Sequence, residues 1–129
     1  MSEKFSVEII SPDKLIFKTD ALEVVVPSYE GEIGILKDHI PLITFLRPGI
    51  IKILDDTERK FFVEEGIVEF VDNNLLILTS TVKKLSDLDK STIENLVNES
   101  QEKLEKNEIT DKEKYLLSYK IETLKNINL

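Results

Sequence analysis

The turn-forming residues of this chain are confined to its first two thirds, and this limits the folds that the chain can adopt. All 4 glycines and all 4 prolines precede residue 67, the last of each being Gly66 and Pro48. Glycine and proline separate short extended segments and interrupt helices, so the first part favours strands and the remainder favours helices. We therefore divide the chain into two predicted domains, residues 1–84 and residues 85–129.

Short apolar segments predict the strands of the first domain. They cover residues 5–10, 15–18, 21–26, 49–54, 59–63, 67–71 and 75–80. The sequence Asp72-Asn73-Asn74 suits a tight hairpin between the last two segments, because Asn tolerates positive φ angles. Strands this short and closely spaced are typical of antiparallel sandwiches and barrels. We expect an antiparallel β-sandwich of about 8–10 short strands.

Two amphipathic helices are predicted in the second domain. A capping box with Ser86 as N-cap is expected to begin the first helix, and one formed by Thr110 and Glu113 the second. Because the break between them is short, we expect an antiparallel two-helix hairpin. The predicted buried stripes are Ile93, Leu96, Val97, Ser100 and Leu104 in the first helix and Leu117, Ile121 and Leu124 in the second.

Composition excludes several classes of function. The formal net charge is −8, which argues against nucleic acid as a partner, because phosphate contacts require clustered Lys and Arg. The chain has no cysteine, so disulfides, zinc–thiolate sites and thiol nucleophiles are excluded. No apolar run approaches the roughly 18 residues of a membrane span. We expect a cytosolic protein whose association with a membrane would depend on a partner.

Residues 27–49 concentrate glycine, proline and acidic residues around the only histidine, as an active site could. A phosphate loop needs more glycines than Gly31 and Gly34, and the carboxylate of Glu32 between them would repel phosphate. One histidine, His39, supplies too few ligands for a metal centre. We predict no catalytic residue, metal ligand or cofactor. A small metal-dependent enzyme on a β-sandwich and an unrelated soluble adaptor remain as alternatives.

Turn chemistry explains the same crowding. Pro27 is expected to end a strand, and Gly31 and Gly34 are expected to adopt backbone angles that a Cβ would hinder. His39 is expected to be a hydrogen-bonding structural residue. The residues that we assign to turns or structural positions are Pro27, Gly34, His39, Pro41, Pro48 and Gly49.

The sequence VVVPSYEGEIGILKDHIPLITFLRPG, residues 24–49, resembles the signature of the epsilon subunit of bacterial F-type ATP synthases. That signature reads approximately V-V-P-G-x-x-G-E-x-G-I-L-P-G-H-A-P-L-(I/L)-x-x-L-x-P-G. The resemblance is strong over residues 5–81, and the two-part plan also agrees. The chain departs from the family pattern at Ser28 and Glu65, where glycines are usual, and at Lys37-Asp38, where Pro-Gly is usual.

The resemblance implies a non-catalytic rotor subunit of the central stalk. Its sandwich would dock on the gamma subunit and on the c-ring, and its hairpin would reach the catalytic alpha/beta head and inhibit ATP hydrolysis. The complex would place it peripherally on the cytoplasmic face of the bacterial inner membrane. The expected c-ring contacts are Glu30, Gly31, Glu32 and Ile33.

The hairpin departs most from the family. Members that bind ATP carry an (I/L)-D-x-x-R-A motif, of which Leu88 and Asp89 remain, whereas Thr92 and Ile93 replace Arg-Ala. Residues 85–129 contain no arginine, and Arg supplies the fixed paired donors that an anion needs, so we expect weak or absent ATP binding. Lysines of the hairpin could meet acidic loops of the head or could simply be solvated. They are Lys103, Lys106, Lys112, Lys114, Lys120 and Lys125.

Overall fold

The computed structural model describes residues 3–127, so residues 1–2 and 128–129 of the predicted domains lie outside the described part. Strands come first and helices last. The strands are β1 (Phe5–Ile10), β2 (Leu15–Ala21), β3 (Glu23–Ser28), β4 (Gly31–Leu36), β5 (Leu42–Leu46), β6 (Gly49–Leu54), β7 (Glu58–Val63), β8 (Gly66–Val71), β9 (Asn74–Leu78) and β10 (Lys83–Lys84). A 3-10 helix (Leu85–Asp87) leads into α1 (Lys90–Leu104) and α2 (Asp111–Lys125).

The strands form one continuous sheet that folds into two layers, in the order β10-β7-β6-β3-β5-β8-β9-β1-β2, with β4 on β3. Strand β3 joins the layers, because residues 23–25 pair with β6 whereas Ser28 pairs with Leu46 of β5. Among residues 3–127, every strand pairing is antiparallel except that of β1 with β9, which is parallel. The predicted antiparallel β-sandwich is confirmed with this one parallel pair in it, whose strands can run the same way because the rest of the sandwich connects them.

The core lies between the layers and follows the alternation of the strands. Val24 and Val26 of β3, for example, are fully buried, and the rings of Phe5 and Phe70 meet edge to face at 5.5 Å. Each such apolar side chain stabilises the fold by about 1.5–3 kcal/mol. Strands β4 and β5 are not among the predicted segments, because the glycines within β4 and the prolines on either side of β5 favour turns.

A second cluster joins the helices to the sandwich. Phe62 of β7 points away from the core and is completely covered by Leu88, Ile93 and Leu124. Contact between Ile93 near the start of α1 and Leu124 near the end of α2 makes the hairpin antiparallel, as predicted. All eight predicted stripe positions are buried or half-buried, and the Ser100 hydroxyl donates to a backbone carbonyl one turn earlier, at 2.8 Å.

Local signals at the chain's turns and caps were correct in part. Asp72 and Asn73 adopt positive φ angles of 50° and 61°, and Thr110 and Glu113 form the predicted capping box. The predicted N-cap at Ser86 is wrong: α1 begins at Lys90, with Asp89 as its N-cap. Leu88 is extended, with φ −97° and ψ 119°, which interrupts the helix and places its side chain under Phe62.

Two backbone predictions within residues 27–49 are also corrected. Strand β3 does not end at Pro27 but continues to Ser28, because the proline carbonyl still accepts a hydrogen bond from the Arg47 amide at 3.0 Å. Gly31 has the predicted positive φ, 113°, whereas Gly34 is an ordinary strand residue opposite Val25.

Candidate functional site

A row of exposed apolar side chains crosses the outer surface of β5, β8 and β9. Phe45, Ile67 and Leu78 are direct neighbours in the strand register, and they are 58%, 40% and 41% exposed. Ile43 extends the row along β5, and Val71 lies further along β8, beyond the exposed Glu69 that pairs with Ile43. We call these five apolar residues the open face. Because exposed apolar groups on soluble proteins are usually scattered, a contiguous row of this kind marks an interaction surface.

The open face ends in a hollow of about 460 Å³. Ile10, Tyr29, Phe45 and Leu78 supply apolar walls, and Lys112 from the start of α2 lies at its edge. The hollow therefore borders both the open face and the helical hairpin.

Residues 29–33 form the turn between β3 and β4 and the start of β4, and we call them the tip. The tip carries the predicted c-ring contacts. Glu30 and Glu32 are exposed, whereas Ile33 is half-buried and packs on the core. The Ser28 hydroxyl accepts from the Glu30 amide at 3.1 Å and donates to the Gly31 carbonyl at 2.7 Å. Ser28, a departure from the family pattern, thus provides internal hydrogen bonds that hold the tip in shape.

A second departure, Asp38, occupies a left-handed backbone conformation with φ 68°. Its amide donates to the Asn73 side-chain oxygen at 2.7 Å, and the Asn73 amide group donates to its carboxylate at 2.9 Å. Asn73 has positive φ as well. This reciprocal pair ties the β4–β5 loop to the β8–β9 turn at one end of the open face.

The remaining residues assigned to turns lie around β5. The His39 ring is edge-on to Phe70, with centroids 6.0 Å apart, and its Nδ1 is 2.7 Å from the carbonyl oxygen of the next residue. Pro41 is exposed just before β5, and Pro48 is buried just before β6. A Cβ on Gly49 would come within 2.5 Å of the Pro27 ring, so this close approach requires glycine.

The four residues at the positions of the ATP motif, Leu88, Asp89, Thr92 and Ile93, have structural contacts at the start of α1. Leu88 and Ile93 are buried in the cluster around Phe62. The Asp89 carboxylate accepts from the Thr92 amide at 2.7 Å, and this hydrogen bond lowers the pKa of Asp89 below its usual value. The four residues therefore cap and anchor α1.

The hairpin lysines differ in their surroundings. Lys112, Lys114 and Lys125 are exposed, as are Lys103 and Lys106. Lys120 is half-buried, and its Nζ lies 2.9 Å from the Glu64 carboxylate after β7. In this position of the hairpin, Lys120 therefore forms an ion pair with the sandwich.

Aromatic rings and one arginine join α2 to the sandwich. Tyr29 of the tip stacks on Tyr115 with centroids 5.8 Å apart, and Tyr115 lies 4.8 Å from Tyr119. The Arg47 guanidinium is 4.1 Å from the centre of the Tyr119 ring and donates to the Tyr115 hydroxyl at 3.4 Å. Burial opposes the charge of Arg47, but the two hydroxyls keep its pKa above its usual value. Sequence reasoning missed this group.

Among residues 3–127, no three histidine, aspartate or glutamate side chains come together in a way that would hold a metal ion. Neither α1 nor α2 has an apolar stretch long enough to cross a bilayer.

The described residues thus form a β-sandwich, with an exposed apolar row on one outer surface, followed by a helical hairpin. The family described as the ATP synthase, Delta/Epsilon chain, beta-sandwich domain matches residues 4–84. The ATP synthase epsilon chain of Pelagibacter ubique is 50% identical over 130 residues, which is 99% of this chain and 100% of that relative. That of Sinorhizobium fredii is 30% identical over 106 residues, or 81% of this chain and 79% of the relative. The chain therefore belongs to the ATP synthase epsilon chain family.

Solved structures with the same fold are more distant in sequence. A chain of the Euglena gracilis mitochondrial ATP synthase, in a structure of its OSCP/F1/c-ring part, superposes with a TM-score of 0.82 at 18% identity, covering 97% of this chain and 81% of that one. A chain of the Tetrahymena thermophila mitochondrial ATP synthase central stalk and c-ring gives 0.64 at 16% identity, covering 93% and 92%. These likenesses concern the fold alone.

Proposed function

We propose that this chain is a non-catalytic subunit of the central stalk of an ATP synthase, and that it links gamma to the c-ring. The observation that carries the proposal is the open face, which an isolated soluble domain has no reason to expose. Family membership favours this function over a small metal-dependent enzyme or an unrelated adaptor. Two tightly packed β-layers suit a part that transmits torque.

Gamma is the proposed occupant of the open face. Interface centres are depleted in charge and enriched in aromatic residues, and the row formed by Phe45, Ile67 and Leu78 has that composition. The exposed carboxylates of Glu30 and Glu32 would contact the ring, where each solvated ion pair contributes about 0–1 kcal/mol. Docking would hold the chain peripherally on the cytoplasmic face of the bacterial inner membrane, with H⁺ or Na⁺ as the coupling ion.

The hairpin, residues 85–129, would regulate hydrolysis in the catalytic head, and the sandwich, residues 1–84, would dock. The folded position of the hairpin is supported by the Phe62 cluster and by the Lys120–Glu64 pair. Inhibition would require these contacts to break, so that Lys112, Lys114, Lys120 and Lys125 face the head. In the assembled enzyme, removal of the hairpin should raise the rate of ATP hydrolysis.

A binding experiment with purified gamma tests the docking function. Ile67→Glu places a charge in the open face and should abolish co-purification with gamma. Leu54→Glu is the matched control, since Leu54 is 39% exposed but lies on the outer surface of the other layer. Equal binding of both variants, or no binding of the unaltered chain, would contradict the proposed function.

A further inference from the structure

The contact between the tip and α2 is made by four residues, Tyr29, Arg47, Tyr115 and Tyr119, which we call the clasp. Three stacking contacts join them: Tyr29 stacks on Tyr115 at an interplanar angle of 12°, Tyr115 packs obliquely on Tyr119, and the Arg47 guanidinium covers Tyr119. All 3 tyrosines of the chain lie in it. Aromatic and cation–π contacts of this geometry are attractive beyond the area that they bury.

Backbone hydrogen bonds connect the clasp directly to the shape of the tip. The Tyr29 amide donates to the Phe45 carbonyl at 3.3 Å, and the Arg47 amide donates to the Pro27 carbonyl at 3.0 Å. The sandwich side of the clasp therefore consists of the tip and the segment that follows β5. Its helical side is one turn of α2, from Tyr115 to Tyr119.

We propose that the clasp couples the tip to the hairpin, so that release of α2 loosens the tip, and movement of the tip weakens the hold on α2. Tyr115 and Tyr119 cannot leave the sandwich without uncovering Tyr29 and Arg47. Tyr29, already 41% exposed, then loses the ring that fixes its position. Coupling between two sites is reciprocal, so an effect in one direction requires the other.

This coupling goes beyond the proposed function. Only its effect in the assembled enzyme rests on the proposed function. If the tip contacts the c-ring and the hairpin regulates hydrolysis, the clasp lets the state of the ring contact bias the position of the hairpin. The coupling itself is a property of the isolated chain. Its test therefore needs neither gamma nor the ring, and failure of the docking experiment would leave its result interpretable.

Hydrogen–deuterium exchange on the full-length chain tests the coupling. Tyr119→Leu removes the ring that packs on Tyr115 and is covered by Arg47, and Ser118→Ala is the control on the exposed side of the same turn. We expect Tyr119→Leu to accelerate exchange about tenfold both in α2 and in tip residues 29–32, with β1 and β9 unchanged. Acceleration in α2 alone, or in neither segment, would overturn the proposal.

A second measurement on the unaltered chain covers the case in which Tyr119→Leu fails to fold. The clasp predicts that α2 and residues 29–32 open together, with the same dependence of exchange on low concentrations of urea. Because the chain has 0 tryptophans, its near-ultraviolet circular dichroism reports chiefly on the clasp tyrosines and should be lost in the same step. Separate opening of the tip and α2 would overturn the coupling.

Discussion

The two outer surfaces of the sandwich present similar apolar side chains but differ in how far these are buried. Phe62, on the outer side of β7, is fully covered by the chain's own helices. Phe45, on the outer side of β5, is 58% exposed. The helical hairpin thus covers the apolar side chains of one surface, whereas those of the other surface need a partner to cover them. The comparison suggests that one surface is built for release and the other for docking.

The covered surface is held by few contacts. Two helices of 15 residues each are marginal in water without tertiary packing, so their attachment depends on the cluster around Phe62 and on the contacts of α2. Regions that open in function come from this low-stability end of a structure. The sandwich has its own core, separate from the cluster around Phe62.

Loss of the Phe62 ring should give the largest effect. Phe62→Ala removes a fully buried side chain and should destabilise the attachment of the hairpin by about 3–5 kcal/mol. Phe45→Ala removes the same ring from the open face and should change stability by less than about 0.5 kcal/mol. Urea unfolding followed by circular dichroism at 222 nm measures both, and equal losses would remove the distinction between the two surfaces.

A smaller effect is expected at the edge of the open face. Asp38→Ala keeps the backbone amide that donates to Asn73 but removes the carboxylate that accepts from the Asn73 amide group, and it leaves an alanine in a left-handed conformation, so it should destabilise the sandwich by about 1–2 kcal/mol. Asp38→Gly, which restores the family residue, loses the same side-chain hydrogen bond but adopts the left-handed conformation without strain, so it should lose less than half as much stability. Thermal unfolding distinguishes the variants, and a glycine variant as unstable as the alanine variant would refute this explanation.

The Lys120–Glu64 pair should contribute less again. Because the pair is partly exposed, Lys120→Gln should weaken the attachment of α2 by no more than about 1 kcal/mol. Hydrogen exchange in α2 measures this loss, and it should shrink as salt is added. A large effect that does not respond to salt would show that Lys120 acts through packing instead.

The smallest expected effect concerns pH. The Thr92 amide lowers the pKa of Asp89 in the folded chain, so the cap contributes fully above the unfolded pKa of about 3.9 and is lost as pH falls through the folded value. Asp89→Asn keeps the capping oxygen but cannot titrate. Exchange in the first turn of α1 should rise in acid less for Asp89→Asn than for the unaltered chain, and identical acid responses would contradict this role.

Local chemistry made much of the fold predictable from sequence. The Asp72–Asn73 turn, the Thr110 capping box and the helical stripes each depend on residues a few positions apart. The Asp89 cap was missed because burial of Leu88 in the cluster around Phe62 holds Leu88 extended and moves the start of α1 past Ser86. The local capping pattern at Ser86 does not reveal this packing. The open face carried a weak signal, since Ile43 and Phe45 alternate with buried residues along β5.

The clasp and the Asp38–Asn73 pair could not be predicted in the same way. Arg47 and Tyr115 are 68 positions apart, and Asp38 and Asn73 are 35 apart. Each pair depends on how strands and helices are placed across the fold, which no local pattern specifies. The family signature identified the chain, but these contacts involve residues outside the signature, at its unspecified positions (Tyr29 and Arg47) or at its departures (Asp38).

Labelling of a single thiol in the assembled ATP synthase would test the central claim most directly. The chain has no cysteine, so Ile67→Cys places a unique thiol in the open face, and Leu54→Cys places one of matched exposure on the other layer. Both should react with a maleimide at similar rates in the free chain. In the assembled enzyme, Ile67→Cys should react at least about tenfold more slowly, because interface centres exclude water. If Ile67→Cys reacts as fast in the enzyme as in the free chain, the open face is not the docking surface.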